Sequence, residues 1–371
     1  MDTERLEKIA GPLLDWFAVN ARVLPWREQP LPYYVWVSEI MLQQTRVEAV
    51  KPFFARFIQS LPDVAALAQC PEDQLLKLWE GLGYYNRVRN MQKAAQMVME
   101  KYGGCLPDTY GELLSLPGIG SYTAGAIASI AYGQAVPAVD GNVLRVISRI
   151  SGDDQDIMKQ SVKKQYEDSL RSIMPKEQPG AFNQALMELG ATVCLPNGAP
   201  ECGTCPVSGV CYAKEHGCQM ALPVKAAKKP RRLEQRTVLV IRDSEHALIR
   251  KRPKQGLLAG LYELPNVTGH MTQKEALSYV QKCGFSPIRV TQLPAAKHIF
   301  SHIEWQMIGY MVLVEDMEGL SGDGHLMQAG NSHALFIEPR RTQQEYPIPA
   351  AFAAYTEYLS IKLGQDKYRE M

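Results

Sequence analysis

The stretch Glu112-Leu-Leu-Ser-Leu-Pro117-Gly118-Ile-Gly120-Ser-Tyr122-Thr-Ala-Gly-Ala-Ile-Ala-Ser-Ile-Ala-Tyr-Gly133, followed by Gln-Ala-Val-Pro-Ala-Val-Asp140, decides how this chain is read. Leu113, Leu114 and Leu116 mark the end of an amphipathic helix. Pro117 cannot continue it, because it lacks an N–H and clashes with the preceding turn. Gly118 and Gly120 permit a tight turn with positive φ and close approach of another backbone. Ser121 or Thr123 is expected to cap the next helix, and 124–131 supplies small residues for close packing. The expected product is a helix, a glycine turn and a second helix. Its exposed N–H groups suit a phosphate, directly or through a cation. Asp140 precedes Gly141-Asn142-Val143, where another helix starts, so it is expected near a helix N-terminus, in ionised form.

Working outward, 371 residues suffice for two domains with their own cores. The net charge of +1 gives no global case for nucleic acid, yet a basic face balanced by acid elsewhere leaves DNA open. No apolar run approaches the roughly 18 residues that span a membrane. Met1-Asp2-Thr3-Glu4-Arg5 lacks the basic-then-apolar pattern of a signal peptide, so cytosolic residence is expected. Four of the eight cysteines crowd into Cys194-x7-Cys202-x2-Cys205-x5-Cys211. Such clustering points to metal rather than disulfides, either a tetrahedral ion or an iron–sulfur cluster. Cys218 is a spare candidate.

Residues 5–20 have helical apolar spacing, and Leu24-Pro25-Trp26-Arg27 reads as a loop. Trp26 and Arg27 suit a base-binding pocket; the alternative is a core tryptophan beside a surface arginine. Residues 33–50 read as a mostly apolar helix containing Glu39, with Gln43, Gln44 and Thr45 at one helix end. A carboxyl among Val35, Val37, Ile40, Met41 and Leu42 has its pKa raised, which suits a general acid; a solvated helical glutamate is the plainer reading. Helices interrupted at Pro62 and Pro71 lead to Gly81-Leu-Gly83-Tyr84-Tyr85-Asn-Arg87-Val-Arg89. That turn suits DNA, with aromatics wedging into a stack and arginines meeting phosphates. The basic run 223–236 reads as a linker that either tracks DNA backbone or is simply solvated. Beyond it the period changes. Strands are expected at 237–241, 247–250, 288–291, 297–300, 303–314 and 334–337, with helices at 272–283 and 349–362. The fold expected is an all-α domain over 1–222 followed by a small α/β domain over 237–371.

Together these motifs resemble the helix-hairpin-helix DNA glycosylases, and within them the adenine DNA glycosylases of the MutY type. The resemblance rests on Leu116-Pro-Gly-Ile-Gly120 with Asp140, on Val37-Ser-Glu-Ile-Met-Leu-Gln-Gln-Thr45, on Gly81-Leu-Gly-Tyr-Tyr85, on the cysteines and on the C-terminal domain. It implies a helix-hairpin-helix at 113–130, a 4Fe–4S cluster loop at 194–211 and a Nudix-like domain that recognises 8-oxoguanine. It implies excision of adenine mispaired with 8-oxoguanine or guanine, on double-stranded DNA, by a cytoplasmic, nucleoid-associated monomer. Glu39 would protonate adenine N7, and Asp140 would stabilise or trap the sugar oxocarbenium ion, in the logic of retaining glycosidases. Tyr122 and Asn142 would support the site. Trp26, Arg27, Leu42 and Gln184 would line the pocket of a flipped adenine. Gln44 and Tyr84 would enter the duplex, and Gly118 and Gly120 would present backbone to phosphate. Phe300, Ser301 and His302, within His298-x-Phe300-Ser301-His302, would read 8-oxoguanine. Cys194, Cys202, Cys205 and Cys211 would hold the cluster.

Three departures matter. Endonuclease III-type enzymes carry a Schiff-base lysine two residues after the second hairpin glycine; here that residue is Tyr122, which cannot form an imine. Base removal without efficient strand cleavage is expected. The stretch matching the Nudix box, Leu277-Ser-Tyr-Val-Gln-Lys-Cys-Gly284, lacks its arginine and Mg²⁺-binding carboxylates, so phosphohydrolysis is not expected. The first cysteine gap holds seven residues, Leu195 to Glu201, where the family has six. Other readings are a glycosylase for thymine or uracil opposite guanine, which the C-terminal domain opposes, and a non-catalytic damage-binding protein, which Glu39 and Asp140 together oppose.

Overall fold

The computed structural model describes residues 2–226, 230–315, 327–328 and 333–363. Its packing forms two compact units, Met1–Gln69 with Arg89–Lys228 and Cys70–Val88 with Lys229–Met371. The later division between the units falls at Lys228/Lys229, and residues 70–88, earlier in the chain, pack with the C-terminal part. The linker positions 227–229 and the C-terminal positions 364–371 lie outside the described residues. No described helix is long and apolar enough to cross a membrane.

The helices up to Glu215 are α1 (Thr3–Leu6), α2 (Ala10–Asn20), α3 (Pro25–Glu28), α4 (Pro32–Leu42), α5 (Val47–Ser60), α6 (Val64–Gln69), α7 (Glu72–Leu78), α8 (Asn86–Tyr102), α9 (Tyr110–Ser115), α10 (Ser121–Ile130), α11 (Gly141–Ser151), α12 (Gln160–Ile173), α13 (Pro179–Thr192) and α14 (Tyr212–Glu215). The helix expected over 5–20 is thus two helices. The expected loop at 24–27 contains α3, because Pro25 stands at its first turn, where a missing N–H costs nothing. The helix expected over 33–50 stops at Leu42, since Gln44 adopts φ +60°, and restarts at Val47.

The hairpin follows from local chemistry. Thr109 caps α9 by accepting from Glu112 N, and Leu116 leaves the helix in extended conformation. Gly118 then adopts φ +78°, and a Cβ there would stand 2.6 Å from Asn90 Cβ. Gly120 departs from expectation: it is extended, at φ −95° and ψ −179°, and occupies the N-cap of α10 without a side-chain bond. Neither candidate cap is used. Ser121 Oγ donates to Glu167 Oε1 at 3.0 Å, and Thr123 is buried inside the helix.

Small residues bring α10 against its neighbours. A Cβ on Gly125 would lie 2.2 Å from the Pro137 carbonyl oxygen, and one on Gly180 of α13 would lie 2.7 Å from Ser129 O. Buried Asn183 ties the connection together, accepting from Ala138 N at 3.0 Å and donating to Ser129 Oγ and Val136 O at 2.8 and 2.9 Å. A core of Ile147, Ile150, Tyr166, Phe182, Leu186 and Leu189 joins α11, α12 and α13.

In the second unit, the sheet comprises β1 (Arg232–Arg242), β2 (Ala247–Lys251), β3 (Tyr262–Glu263), β4 (Asn266–Thr268), β5 (Pro287–Ile299), β6 (Ile303–Val314), β7 (Met327–Gln328) and β8 (His333–Ile337). The order is β5-β6-β1-β2-β8-β7, with β3 on β2 and β4 on β1. β1 and β6 are parallel; the other pairs are antiparallel. Helix α15 (Gln273–Lys282), opened by a Thr272–Glu275 capping box, covers one face through Ala276 and Val280. Trp305, Phe352 and Tyr355 form the core on the other. Helices α16 (Pro339–Glu345) and α17 (Ala353–Thr356) follow. β1 begins at Arg232, inside the expected linker. The strands expected at 288–291 and 297–300 are one strand, β5, whose register shifts between Leu293 and Ala296 around Pro294, as a residue without an N–H requires. The helix expected over 349–362 is broken into 3-10 turns at Ala350–Phe352 and Glu357–Leu359 on either side of α17.

Gly125→Ala should lower the unfolding free energy by about 2 to 3 kcal/mol, because backbone rather than a flexible side chain meets the added methyl. Chemical denaturation of the variant beside the parent protein measures this, and equal stability would remove the close approach as the reason for glycine.

Candidate active site

One cavity of about 520 Å³ lies in the first unit, lined by residues from α3, α4, α10, α11 and α13. Glu39, Asp140, Tyr122, Asn142, Trp26, Arg27, Leu42, Gln184 and Gln44 all border it. They come from sequence positions spread between 26 and 184, so the fold assembles a single concave site from separate motifs.

Glu39 is 6% exposed, on the inner face of α4. Burial pushes its carboxyl up to about 7; the Tyr122 hydroxyl that donates to Oε2 pulls it down, and the Asp140 charge pushes it up again. The Tyr122 hydroxyl is driven well above its ordinary value by burial and by the charges of Glu39 and Asp140, so it remains a donor. The lysine position of the resemblance is therefore filled by a proton donor directed at Glu39.

Asp140 caps α11, accepting from Val143 N at 2.8 Å and from Asn142 Nδ2 at 2.9 Å. The sequence placed it at the helix N-terminus, where the bonds from Val143 and Asn142 do favour its ionised form, but burial acts against them. Burial raises its pKa more than Val143 and Asn142 lower it. Asn142 is held in turn by Arg145, which donates to its Oδ1 at 2.9 Å and to Gly190 O at 2.7 Å.

Also lining the cavity, Trp26 is buried against Phe54 with ring centroids 5.3 Å apart. Arg27 is no solvated arginine: it donates to Gln184 Oε1 at 3.0 Å, Arg22 O at 3.1 Å and Glu188 Oε2 at 2.9 Å. Arg22 and Glu188 line the same cavity and were missed by motif reading. Glu188 is 1% exposed; burial favours its neutral form, but hydrogen bonds from Arg22 and Arg27 outweigh this and hold its pKa below the usual range. Its place one helical turn after Gln184 was the available signal.

Gly118, Gly120 and Tyr84 do not line this cavity. Gly120 leaves the start of α10 uncovered, since no atom stands within 4 Å of a Cβ built there. In the turn before α8, Gly81, Gly83 and Tyr84 have φ of +103°, +67° and +48°. Trp79 Nε1 donates to Gly83 O at 3.0 Å, while Arg87 donates to Leu82 O and Gly83 O at 2.9 and 3.2 Å. Arg87 thus braces the turn, contrary to its expected phosphate contact. Tyr84 is exposed while Tyr85 is buried, so only the first tyrosine projects outward. Phe300, Ser301 and His302 form the β5–β6 turn, closed by Phe300 N donating to Ile303 O at 2.8 Å. The Phe300 ring meets Trp305 and His298 at 5.0 and 4.6 Å between centroids, leaving Ser301 and His302 exposed. Ser301 Oγ lies 3.4 Å from the Tyr84 hydroxyl.

Cys194, Cys202, Cys205 and Cys211 line a second cavity. Arg149 donates to Cys194 Sγ at 3.2 Å, and Gln219 stands 3.8 Å from Cys202 Sγ. Burial pushes the Cys205 thiol up to about 11, reinforced by the charges of Cys194, Cys211 and Cys202. The seven-residue gap closes at its base, where Glu201 N donates to Val193 O at 2.9 Å, with Gly198 at φ +79°.

Residues 37–172 match the model of the HhH-GPD superfamily base excision DNA repair proteins, and residues 237–358 match that of the NUDIX domain. Human adenine DNA glycosylase is 35% identical over 427 residues, covering 98% of this chain and 76% of that protein. The chain belongs to the adenine DNA glycosylase family. The mouse adenine DNA glycosylase is 37% identical over 350 residues, covering 79% of this chain and 68% of its own. A solved thermostable thymine-DNA glycosylase superposes with a TM-score of 0.53 at 27% identity, over 57% of this chain and 98% of that one. Membership makes the chain a DNA-repair glycosylase with a helical hairpin unit and a Nudix-like unit.

Burial of Glu39 carries a pH signature. The folded chain keeps this proton up to about pH 7, whereas the unfolded chain releases it near 4.5. Between those values the native state holds more protons, so stability falls as pH rises. Relative to the parent, Glu39→Gln should gain up to about 3 kcal/mol across that window. Denaturant titrations at both ends measure the gain, and a difference that is constant with pH would contradict the raised pKa.

Proposed function

We propose that this chain removes adenine mispaired with 8-oxoguanine or guanine, hydrolysing the N-glycosidic bond without efficient strand cleavage. The observation carrying this reading is a protonatable Glu39 and a hydrogen-bonded Asp140 in one cavity with Trp26, Arg27 and Gln184. A flipped adenine would stack on Trp26 and present hydrogen-bonding edges to the polar groups. Glu39, its pKa raised to about 7 so that a large share of it carries a proton at neutral pH, donates to adenine N7 as the C1′–N9 bond breaks, and the bonding pair leaves with the base. The sugar becomes an oxocarbenium ion that the Asp140 carboxylate stabilises or captures. Water adds at C1′ and returns a proton to Glu39, giving free adenine and an abasic sugar. Tyr122 fixes the carboxyl by donating to it, and Asn142 holds Asp140. With tyrosine in place of an amine, no imine forms to drive strand scission.

Exposed Tyr84 and Gln44 are assigned to the duplex, the former as a wedge. Gly118 and Gly120 are assigned to backbone phosphate through free N–H groups. The Phe300-Ser301-His302 turn is assigned to the 8-oxoguanine edge, with Phe300, packed on Trp305, as its half-buried support. Cys194, Cys202, Cys205 and Cys211 are assigned to a 4Fe–4S cluster: all four line one cavity, where their burial and mutual repulsion would be relieved by cationic iron, although among the described residues no three of them converge on one metal position. When bound, such a cluster supplies cross-links within the 194–211 loop.

Under single-turnover conditions the protein should release adenine from an A·8-oxoguanine duplex and leave an abasic strand intact until alkali is added. Release of thymine from T·G duplex instead, or no base release, would overturn the reading. The rate should decline above pH 7 as Glu39 loses its proton, by about tenfold per pH unit well beyond it, and Glu39→Gln should abolish release while retaining binding; a flat profile would remove Glu39 as the acid. Iron and sulfide analysis should find a cluster that Cys202→Ala or Cys205→Ala depletes, whereas stoichiometric zinc would replace that assignment.

A further inference from the structure

Residues 70–88 lie before the hairpin in sequence, yet they pack with the C-terminal unit. Polar contacts fasten them along their length. Lys251 Nζ on β2 reaches both Asp73 carboxylate oxygens at 2.7 Å. Lys77 Nζ pairs with Glu80 at 3.0 Å and donates to Tyr346 O at 2.9 Å. Glu80 Oε1 accepts from Ile348 N at 2.8 Å. Tyr84 then stands beside Ser301.

The middle contact is the demanding one. Glu80 is 1% exposed, and the Lys77 side chain 11%. Two desolvated charges are tolerated only with matched partners, and removing one leaves the other stranded. Here the partners include the backbone of residues 346 and 348, so the pair fits only when this stretch occupies one position against the C-terminal unit. Tyr84 follows Glu80 by four residues, through the turn braced by Trp79 and Arg87.

We propose that the Lys77–Glu80 pair is a specificity-determining positioning element, clasping the segment that carries Tyr84 to the 346–348 backbone so that the domain assigned to 8-oxoguanine also sets the wedge. This rests on the function proposed above. Contact of 8-oxoguanine with Ser301 is then felt at Tyr84, because both belong to one clasped body. With the clasp opened, the wedge no longer registers which base faces the reader, and A·G and A·8-oxoguanine become alike to the enzyme.

The test is the ratio of single-turnover adenine release from A·8-oxoguanine over A·G, measured on the full chain. Lys77→Met combined with Glu80→Gln removes both charges while keeping shape. The ratio should fall about fivefold or more, with A·G excision preserved; Lys77→Arg should retain the parent ratio. At the more exposed contact, Asp73→Lys and Lys251→Asp should each lower the ratio and together restore it, which decides the matter if the buried pair cannot be removed without unfolding. Equal slowing on both duplexes would reduce the pair to a structural role and overturn the proposal, as would an unchanged ratio in folded variants. A parent protein with no preference for A·8-oxoguanine would instead defeat the underlying functional reading, and a preference that survives every variant would defeat the clasp alone.

Discussion

The hydrogen bond from Tyr122 to Glu39 is the contact on which the arrangement of the first unit turns. It joins α10 to α4 at the wall of the cavity and requires both side chains to be buried. Burial acts the same way on both groups. It makes the carboxyl hold its proton, and it makes the hydroxyl unwilling to lose its own. The pair is therefore neutral below about pH 7, the cheapest state for two polar groups away from water. A lysine at 122 would put a cation beside the same carboxyl and favour its ionised form.

The second carboxylate is placed by different means. Asp140 gets its position from the end of a helix and from Asn183, which holds the approach loop by three buried hydrogen bonds. Gly125 and Gly180 let α10 approach that loop and α13 at backbone distance. Beyond Asn142, Arg145 also donates to Cys194 O at 2.8 Å, so the support of Asp140 extends to the start of the cysteine loop. Arg22, Arg27 and Glu188 form a second charged group on the lining of the same cavity, where mutual pairing keeps Glu188 ionised despite its burial.

The second unit solves a different problem. Its mixed sheet is covered on both faces, and the Nudix-box position on α15 holds Ser278, Gln281 and Lys282 rather than metal-binding carboxylates. What this unit presents outward is the β5–β6 turn, propped by Phe300 on Trp305, beside a tyrosine from a distant part of the chain. The left-handed Tyr84 is kept there by hydrogen bonds to the carbonyls before it, in which Arg87 and Trp79 spend their donors.

Much of this was legible in order along the chain. Leu116-Pro-Gly-Ile-Gly120 announces its turn because proline and glycine act locally, and the crowding of Cys194, Cys202, Cys205 and Cys211 in sequence carries over to one shared cavity. Glu39 stood out as a charge among the apolar residues of Val35–Leu42, although a solvated face was the plainer reading and only the structure shows it buried. Helix ends were less legible: Gln44 breaks its helix in a left-handed conformation that residue type did not announce, and Ser121 leaves its cap unused because its hydroxyl meets Glu167, remote in sequence. The sign of the Asp140 shift was also out of reach, since a helix terminus and burial pull in opposite directions and only the packed structure says which is larger. So were Arg22 and Glu188, whose meaning lies in each other, and residues 70–88, whose allegiance to the C-terminal unit is set by Glu80, Lys77 and Asp73 meeting Ile348, Tyr346 and Lys251. The sequence by itself determined the residue chemistry and the local turns, which short-range sterics and hydrogen bonding dictate. Only the tertiary structure decided burial, and with it protonation and pairing, because desolvation is a property of everything packed around a group.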